Sequence, residues 1–217
     1  MNQRGYTLIE VLIASSIFVV IMIIGTATFT TANRIREKTE AITLTTETAR
    51  SVAESISRDL RAATGIRDVS GAFTILPFTL GEGTESTTGL ATGTLLQTVR
   101  FDGNVGDQGE TVVHDYFVDG DTPDTLTLKV RARTFNGTPA TLDIPVPDEE
   151  VTTLLPAQLV LAQNGFIVTG LTHGEATTLQ KQPFAQLHLA LRYVGDPRNA
   201  GITQTVQTSV TSREYLE

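Results

Sequence analysis

One stretch near the N-terminus limits what this chain can fold into more than any other feature. Tyr6 to Gly25 is a run of 20 residues that is apolar apart from a single acidic residue, Glu10. As an α-helix the run would extend about 30 Å, because each residue adds about 1.5 Å along the helix axis. That length matches the hydrocarbon core of a bilayer, so the run predicts one membrane-crossing helix.

Glu10 distinguishes this run from an ordinary membrane anchor. An ionisable group inside a membrane span costs roughly 2.5–3.5 kcal/mol, so a lone carboxylate there needs a partner. A plain anchor, or a secretory signal sequence cut after Ala32, would explain the apolar run but not the carboxylate. A third interpretation, in which the carboxylate meets a charged partner, follows from the residues around it.

The residues around Glu10 form a motif, Arg4-Gly5-Tyr6-Thr7-Leu8-Ile9-Glu10-Val11-Leu12. It resembles the prepilin processing motif of type IV pilins and type II secretion pseudopilins. The resemblance implies a leader peptide of residues 1–5, cleavage after Gly5 by the prepilin peptidase on the cytoplasmic side, and N-methylation of Tyr6. Family members usually begin the mature chain with phenylalanine, and Tyr6 keeps an aromatic residue at that place.

The chemistry of Gly5, Tyr6 and Glu10 suits this processing. Gly5 has no Cβ, so the backbone can lie close to a peptidase before the cut. Cleavage would give Tyr6 a positive amine, which can neutralise the Glu10 carboxylate within one chain or between neighbouring chains. The resemblance favours the contact between neighbours, so Glu10 is predicted to form an assembly charge pair.

Beyond Gly25 the helical pattern continues and becomes amphipathic. The spacing predicts one long helix from about Tyr6 to Ala63, capped at its C-terminus by Gly65. The threonine-rich residues 43–48 are weak helix formers, so the helix is expected to bend or fray there. The apolar positions that carry the pattern are Ile35, Ile42, Ala49, Val52, Ala53, Ile56, Leu60 and Ala63.

The rest of the chain shifts to Gly, Thr, Pro and Asp with short alternating runs. These predict strands at Phe73–Leu80, Leu95–Phe101, Val112–Val118, Thr125–Arg133, Leu159–Thr169, Phe184–Tyr193 and Thr205–Ser212. Residues 81–93 and 144–156 are predicted loops. In the clearest strand Ala185, Leu187, Leu189, Leu191 and Tyr193 should pack, while Gln186, His188 and Arg192 face the other way.

This order predicts an α+β, pilin-like fold, in which a long N-terminal helix packs on an antiparallel β-sheet head. The expected divisions are a leader (1–5), the helix (6–64, membrane segment 6–25) and a β-rich head (65–217). Residues 53–63 resemble the helix end of J-type minor pseudopilins and W-type minor pilins. Residues 124–128, and the closing strands up to Glu214, resemble the same group.

Composition excludes several kinds of site. The formal charge is −8, so the chain as a whole lacks the positive potential that attracts nucleic acid. Nucleic acid is therefore not expected as a partner. Cysteine is absent, which excludes disulfides and thiolate sites. His114, His173 and His188 match no catalytic motif, and adjacent residues His114 and Asp115 should point to opposite faces of a strand. The sequence therefore predicts no catalytic residue and no enzyme.

Two acidic loops were considered as calcium sites. One contains Asp102, Asn104, Asp107 and Glu110, and the other contains Asp115, Asp119, Asp121 and Asp124. Neither has the ligand spacing of a calcium-binding helix–loop–helix motif, and solvated turns account for both. No metal or cofactor is predicted, and calcium binding stays open.

The leading hypothesis is therefore a minor pilin or pseudopilin, a structural subunit of a type II secretion pseudopilus or a type IV pilus. The alternatives are a filament-tip binding module and, more remotely, a membrane-anchored periplasmic enzyme. The resemblance implies as partners other pilins, the prepilin peptidase and N-methyltransferase, an inner-membrane assembly platform and membrane lipid. It places the chain in the inner membrane, with a cytoplasmic N-terminus and a periplasmic head, before assembly into a filament.

Overall fold

The computed structural model describes residues 7–67, 73–81, 84–85, 91–93, 95–102, 109–137, 150–171 and 183–211. These residues begin with one long helix, α1 (Leu8–Ala62). The strands that follow are β1 (Ile66–Arg67), β2 (Phe73–Ile75), β3 (Phe78–Gly81), β4 (Thr84–Glu85), β5 (Ala91–Gly93), β6 (Leu95–Asp102), β7 (Glu110–Asp119), β8 (Thr127–Asn136), β9 (Glu150–Thr153), β10 (Leu159–Leu171), β11 (Phe184–Tyr193) and β12 (Thr203–Thr211).

The chain divides into two compact units, residues 1–42 and residues 43–217. We call the first the anchor unit and the second the head unit. The anchor unit contains the first part of α1, which is the helix among the described residues that is long and apolar enough to cross a membrane. Helix α1 is continuous through residues 43–48, so of the two expectations there fraying is wrong, and the bend stays a prediction. Thr45, within that stretch, is fully buried.

The head unit contains two five-stranded sheets and one two-stranded sheet. The strand orders are β12-β11-β10-β5-β4, β3-β6-β7-β8-β9 and β1-β2, and the paired strands run antiparallel. The N–H of Leu161 in β10 donates to the carbonyl of Leu126, just before β8, at 2.8 Å. This bond connects the two large sheets, which together with α1 confirm the predicted α+β, pilin-like architecture.

The last part of α1 and both large sheets share one hydrophobic core. The apolar stripe predicted for the helix supplies Ala49, Val52, Ala53, Ile56 and Leu60, all buried. A helix whose apolar residues recur every three or four positions presents them on one face, and that face meets the sheets. The sheets contribute Leu96, Tyr116, Leu128, Leu161, Phe166, Val168, Leu187, Leu189 and Leu191.

Strand β11 shows why alternation in sequence predicted the packing so well. Ala185, Leu187, Leu189 and Leu191 are buried in the core, and Tyr193 packs against it while half-buried. Successive side chains in a strand point to opposite faces, so the residues between them face away. Both predictions for this strand, its bounds and its packed face, are confirmed.

The predicted strand and loop pattern needs correction in three places. The strand expected at 73–80 is two strands, β2 and β3, because Pro77 between them has no N–H to donate to a ladder. The loop expected at 81–93 contains β4 and β5, and the loop expected at 144–156 contains β9. Strand β9 is exposed throughout and shows no alternation of apolar residues, and it pairs with β8 along the edge of the sheet.

Gly65 has a different role from the helix cap that was predicted. The helix ends at Ala62, and Gly65 adopts a left-handed φ of 62° in the connection to β1. Its N–H donates to the carbonyl of Val99 in β6 at 3.0 Å. A Cβ on Gly65 would lie 2.6 Å from the carbonyl oxygen of Ile75, so glycine is needed for close packing of the backbone as well as for its φ.

Candidate functional site

The start of α1 is built around Thr7 and Glu10. The Thr7 N–H and Oγ1 donate to Glu10 Oε2 at 2.9 and 3.0 Å. In return, the Glu10 N–H lies 3.4 Å from Thr7 Oγ1. This reciprocal arrangement is a capping box, which satisfies N–H groups that have no partner at a helix N-terminus. Glu10 therefore fixes where the helix begins.

The capping box could have been found from the sequence. Its signature is Ser or Thr followed three residues later by Glu or Gln, which Thr7-Leu8-Ile9-Glu10 matches. The sequence interpretation assigned Glu10 only to a charge pair. The other two predicted site residues, Gly5 and Tyr6, lie outside the described residues.

Almost all the apolar side chains of the anchor unit face outward. From Leu8 to Phe29 the large apolar side chains are each more than half exposed. Monomeric soluble proteins rarely expose a continuous apolar surface of this kind, so it marks a surface covered by lipid or by another protein. These residues are Leu8, Ile9, Val11, Leu12, Ile13, Ile17, Phe18, Val19, Val20, Ile21, Met22, Ile23, Ile24 and Phe29.

A second polar cluster lies in the head unit, where α1 meets β7. Asp59 Oδ2 lies 2.7 Å from His114 Nδ1 and also accepts a hydrogen bond from the Tyr116 hydroxyl. Residues 114 and 116 are two apart on β7, so they share the face that meets the helix. One carboxylate oxygen thus joins the end of α1 to β7 through two side chains.

Burial and hydrogen bonding set the protonation of this cluster. Burial raises the pKa of Asp59, but the hydrogen bonds from His114 and Tyr116 and the charge of Arg100 outweigh it, and the pKa lies below its ordinary value. Burial, and the bond to the Asp59 carboxylate, raise the pKa of Tyr116 well above its ordinary value. The carboxylate is therefore ionised and the phenol protonated at neutral pH, which is the state that makes these bonds.

The cluster borders a cleft too small for a substrate. The cleft has a volume of about 30 Å³, room for about two or three water molecules. It is lined by Asp59, Ala62, Thr98, Arg100, Val112 and His114. The cluster links α1 to β7, a contact that sequence reasoning missed because Asp59 and His114 are 55 residues apart.

The predictions for the three histidines have different outcomes. His114 and Asp115 do point to opposite faces, as predicted: His114 bonds Asp59, whereas Asp115 forms a buried ion pair with Arg133 at 2.6 Å. His188 is on the face of β11 that points away from the core, and its Nδ1 has no hydrogen-bond partner among the described residues. His173 lies outside the described residues.

Two aspartates considered for calcium already have cationic partners. Asp119 lies 2.5 Å from Lys129 Nζ, and Asp124 lies 2.5 Å from a guanidinium nitrogen of Arg192. Within the part of the chain that the structure describes, no three acidic or histidine side chains come together as metal ligands. Asn104 and Asp107 lie outside that part.

Comparison with known proteins adds one finding. Residues 1–26 match a family model described as the prokaryotic N-terminal methylation motif. The matched segment contains Gly5, Tyr6 and Glu10 and ends one residue after the apolar run. No curated protein and no solved structure matches the chain.

The match agrees with the geometry of the same segment. An exposed apolar helix of this length is what a single membrane anchor requires. The match supports the type IV pilin-like resemblance and a single-pass anchor, and it does not address the J-type or W-type subgroup. The chain therefore carries the prokaryotic N-terminal methylation motif on one apolar helix, followed by a head of antiparallel sheets, as expected of a type IV pilin-like protein.

Proposed function

We propose that this protein is a structural filament subunit, a minor pilin or pseudopilin of a type IV pilus or a type II secretion pseudopilus. The observation that carries the proposal is the methylation-motif match over residues 1–26. It coincides with an apolar helix surface that needs lipid before assembly and neighbouring helices after it. The inner membrane, with the N-terminus in the cytoplasm, is the proposed starting location.

Processing would proceed at Gly5 and Tyr6. A prepilin peptidase cuts between them, and N-methylation follows on the new Tyr6 amine. Mass spectrometry of the protein from its native membrane should then show a chain that begins at N-methylated Tyr6. An intact Met1, or a chain that begins at Asn33, would contradict the proposal. Replacement of Gly5 by a bulky residue should leave the precursor uncut, because a side chain would keep the backbone away from the peptidase.

Assembly would depend on Glu10. Its carboxylate pairs with the methylated amine of a neighbouring subunit, and loss of one charge strands the other in an apolar environment. The family member at the filament tip often lacks this glutamate, because no neighbour lies above it. Since Glu10 is present, we place this subunit below the tip or along the shaft, in the group of J-type and W-type minor subunits that its helix end resembles.

The capping box makes the Glu10 test sharper, because Glu10 has two separable roles. Glu10→Gln keeps a side chain that can complete the box but removes the charge, whereas Glu10→Ala removes both. Thr7→Val is the complementary change, since it loses the hydroxyl of the box and keeps the carboxylate.

If the charge pair drives assembly, both Glu10 variants should be cleaved yet enter sheared filaments several-fold less than wild type. Where no filament is seen, secretion output replaces the filament measurement. Thr7→Val should then assemble better than either Glu10 variant. If Glu10→Gln assembles like wild type while Glu10→Ala does not, the residue acts through the helix cap and the charge-pair mechanism is wrong.

A further inference from the structure

Between Leu8 and Asn33, the serine and threonine hydroxyls of α1 bond the backbone of the helix itself. Each serine or threonine from residue 8 to residue 33 donates to a carbonyl three or four residues earlier, at 2.8–3.0 Å. A hydroxyl bonded in this way leaves no unmet donor, so it is compatible with the interior of a bilayer. The donors are Ser15, Ser16, Thr26, Thr28, Thr30 and Thr31.

This removes the reason to end the membrane segment at Gly25. The sequence prediction ended the span at residue 25, where the continuous apolar run stops and the threonines at 26–31 begin. Between Glu10 and Arg34 the helix carries no charge at all, over the 23 residues from Val11 to Asn33. As a helix those residues extend about 34 Å, more than the hydrocarbon core of about 30 Å and less than the whole bilayer of about 40–45 Å.

The shifted span also changes the setting of Glu10. In the span predicted from sequence, Glu10 lies inside the bilayer and needs a partner even in the free subunit. With the span at Val11–Asn33, Glu10 lies at one membrane surface, where water can solvate it. Arg34 then lies at the opposite surface, so one charge marks each end.

Arg34 and Lys38 are suited to bind lipid at that second surface. They are four residues apart on an exposed helix, so they share one face. Among the described residues neither forms an ion pair, although the acidic Glu37 flanks them. Arg36 is different: it points to the other side of the helix and binds Glu40 at 2.8 Å. Long cationic side chains at the end of an apolar span reach the membrane interface, where lipid phosphates lie.

We propose that the bilayer-embedded part of α1 is Val11–Asn33, and that Arg34 and Lys38 bind phosphates of anionic lipid headgroups at the surface where the helix emerges. This rests on the membrane-anchored subunit proposed above and specifies its depth and its lipid contact. The depth is fixed by a charged residue at each end and by hydroxyls that bond their own helix in between.

The depth can be measured with single cysteines, because the chain has none of its own. The full chain is reconstituted into vesicles of phosphatidylethanolamine and phosphatidylglycerol and treated with a membrane-impermeant maleimide present on both sides. Thr28→Cys and Thr31→Cys should react about tenfold more slowly than Thr39→Cys, because only residue 39 is beyond the bilayer. All three should react equally in denaturing detergent. If Thr28→Cys and Thr31→Cys match Thr39→Cys in vesicles, the helix leaves the bilayer near Gly25 and the proposal is wrong.

The lipid contact is tested in the same vesicles with spin-labelled lipids. The wild-type chain should restrict spin-labelled phosphatidylglycerol about threefold more than spin-labelled phosphatidylcholine, and Arg34→Gln/Lys38→Gln should reduce this ratio to near one. Arg50→Gln/Arg58→Gln removes the same net charge farther along α1 and should leave the ratio unchanged. Equal ratios for both double variants would overturn the lipid assignment and favour a protein carboxylate as the partner of Arg34 and Lys38.

These outcomes are independent of processing. N-methylation at Tyr6 is measured by mass spectrometry of the native protein and does not depend on where the helix leaves the bilayer. A chain that is processed but labels at residues 28 and 31 would therefore refute the depth and keep the proposed function. A chain that shows the expected depth without processing would do the opposite.

Discussion

The anchor unit and the head unit contain the same kinds of apolar residue, but the anchor unit exposes them and the head unit buries them. Phe18 and Ile23 in the anchor unit are 62% and 64% exposed, whereas Leu189 and Ile56 in the head unit are fully buried. A single helix satisfies its own backbone hydrogen bonds but has no second layer to cover its side chains. The head has two large sheets and part of the helix, which share a core of their own. Apolar residues therefore show that a segment has to be shielded from water. The architecture decides whether other parts of the same chain shield it or whether lipid or another protein does so.

The largest expected effect is on the core of the head. Leu189→Asp should lower the free energy of unfolding by about 4 kcal/mol, because it buries a charge without a partner in the packed face of β11. Circular dichroism and urea unfolding of a soluble fragment that starts at Ala32 would measure it. Gln207→Asp, on the exposed face of neighbouring β12, is the control and should change stability by less than about 0.5 kcal/mol. Equal losses in the two variants would show that the core is not where the structure places it.

The same kind of change in the anchor unit should leave the head intact. Val19→Asp adds a charge in the middle of the apolar run, where insertion costs roughly 2.5–3.5 kcal/mol. We expect the full chain to be extracted from membranes by alkaline carbonate while its head keeps the near-ultraviolet spectrum of wild type. Val19→Leu should be retained in the membrane. A Val19→Asp chain that resists extraction would contradict the contrast between the units.

Asp59 tests whether polar groups also hold the head together. Asp59→Asn weakens the bonds from His114 and Tyr116, and we expect a loss of about 2 kcal/mol in the free energy of unfolding. Glu54→Gln is the control on the same helix, because Glu54 is exposed and its pair with Arg58 is 3.7 Å apart. In a double-mutant cycle, Asp59→Asn and Tyr116→Phe should be less than additive. Full additivity would show that the two side chains do not act together.

Gly65 tests whether glycine is required for its positive φ alone or also for close packing of the backbone. Gly65→Ala should cost about 2 kcal/mol, since the new Cβ would collide with the carbonyl of Ile75. Gly137→Ala should cost about 1 kcal/mol, because Gly137 also has a positive φ, 82°, but no described atom lies within 4 Å of the new Cβ. Thermal unfolding of both variants of the head fragment measures the difference. Equal costs would mean that φ alone requires glycine at 65.

The smallest effect concerns pH. Because the pKa of Asp59 is below its ordinary value in the folded head, its contribution to stability is present above the unfolded-state pKa. That contribution is lost as the pH falls from about 3.8 through the lower folded-state pKa. Urea unfolding at a series of pH values should show a shallower acid loss for Asp59→Asn than for wild type. Parallel curves would contradict the lowered pKa.

Sequence alone determined the features that depend on neighbours along the chain. The apolar run, the N-terminal methylation motif, the long helix and the alternating strand β11 could all be predicted, because each depends on residues a few positions apart. The capping box was equally readable and was overlooked in favour of the charge on Glu10. The short strands β4, β5 and β9 could not be predicted, since backbone pairing leaves little trace in their side chains.

Only the tertiary structure decided which residues that are far apart in the sequence contact each other. Nothing local in the sequence links Asp59 to His114 and Tyr116, and only the packing of α1 on β7 brings them to one carboxylate oxygen. Packing likewise gave Gly65 its neighbour Ile75, and it paired Asp119 with Lys129 and Asp124 with Arg192. The physical reason is that helix and strand periodicity record which face of an element is apolar, whereas the partner of a polar group is set by how those faces dock.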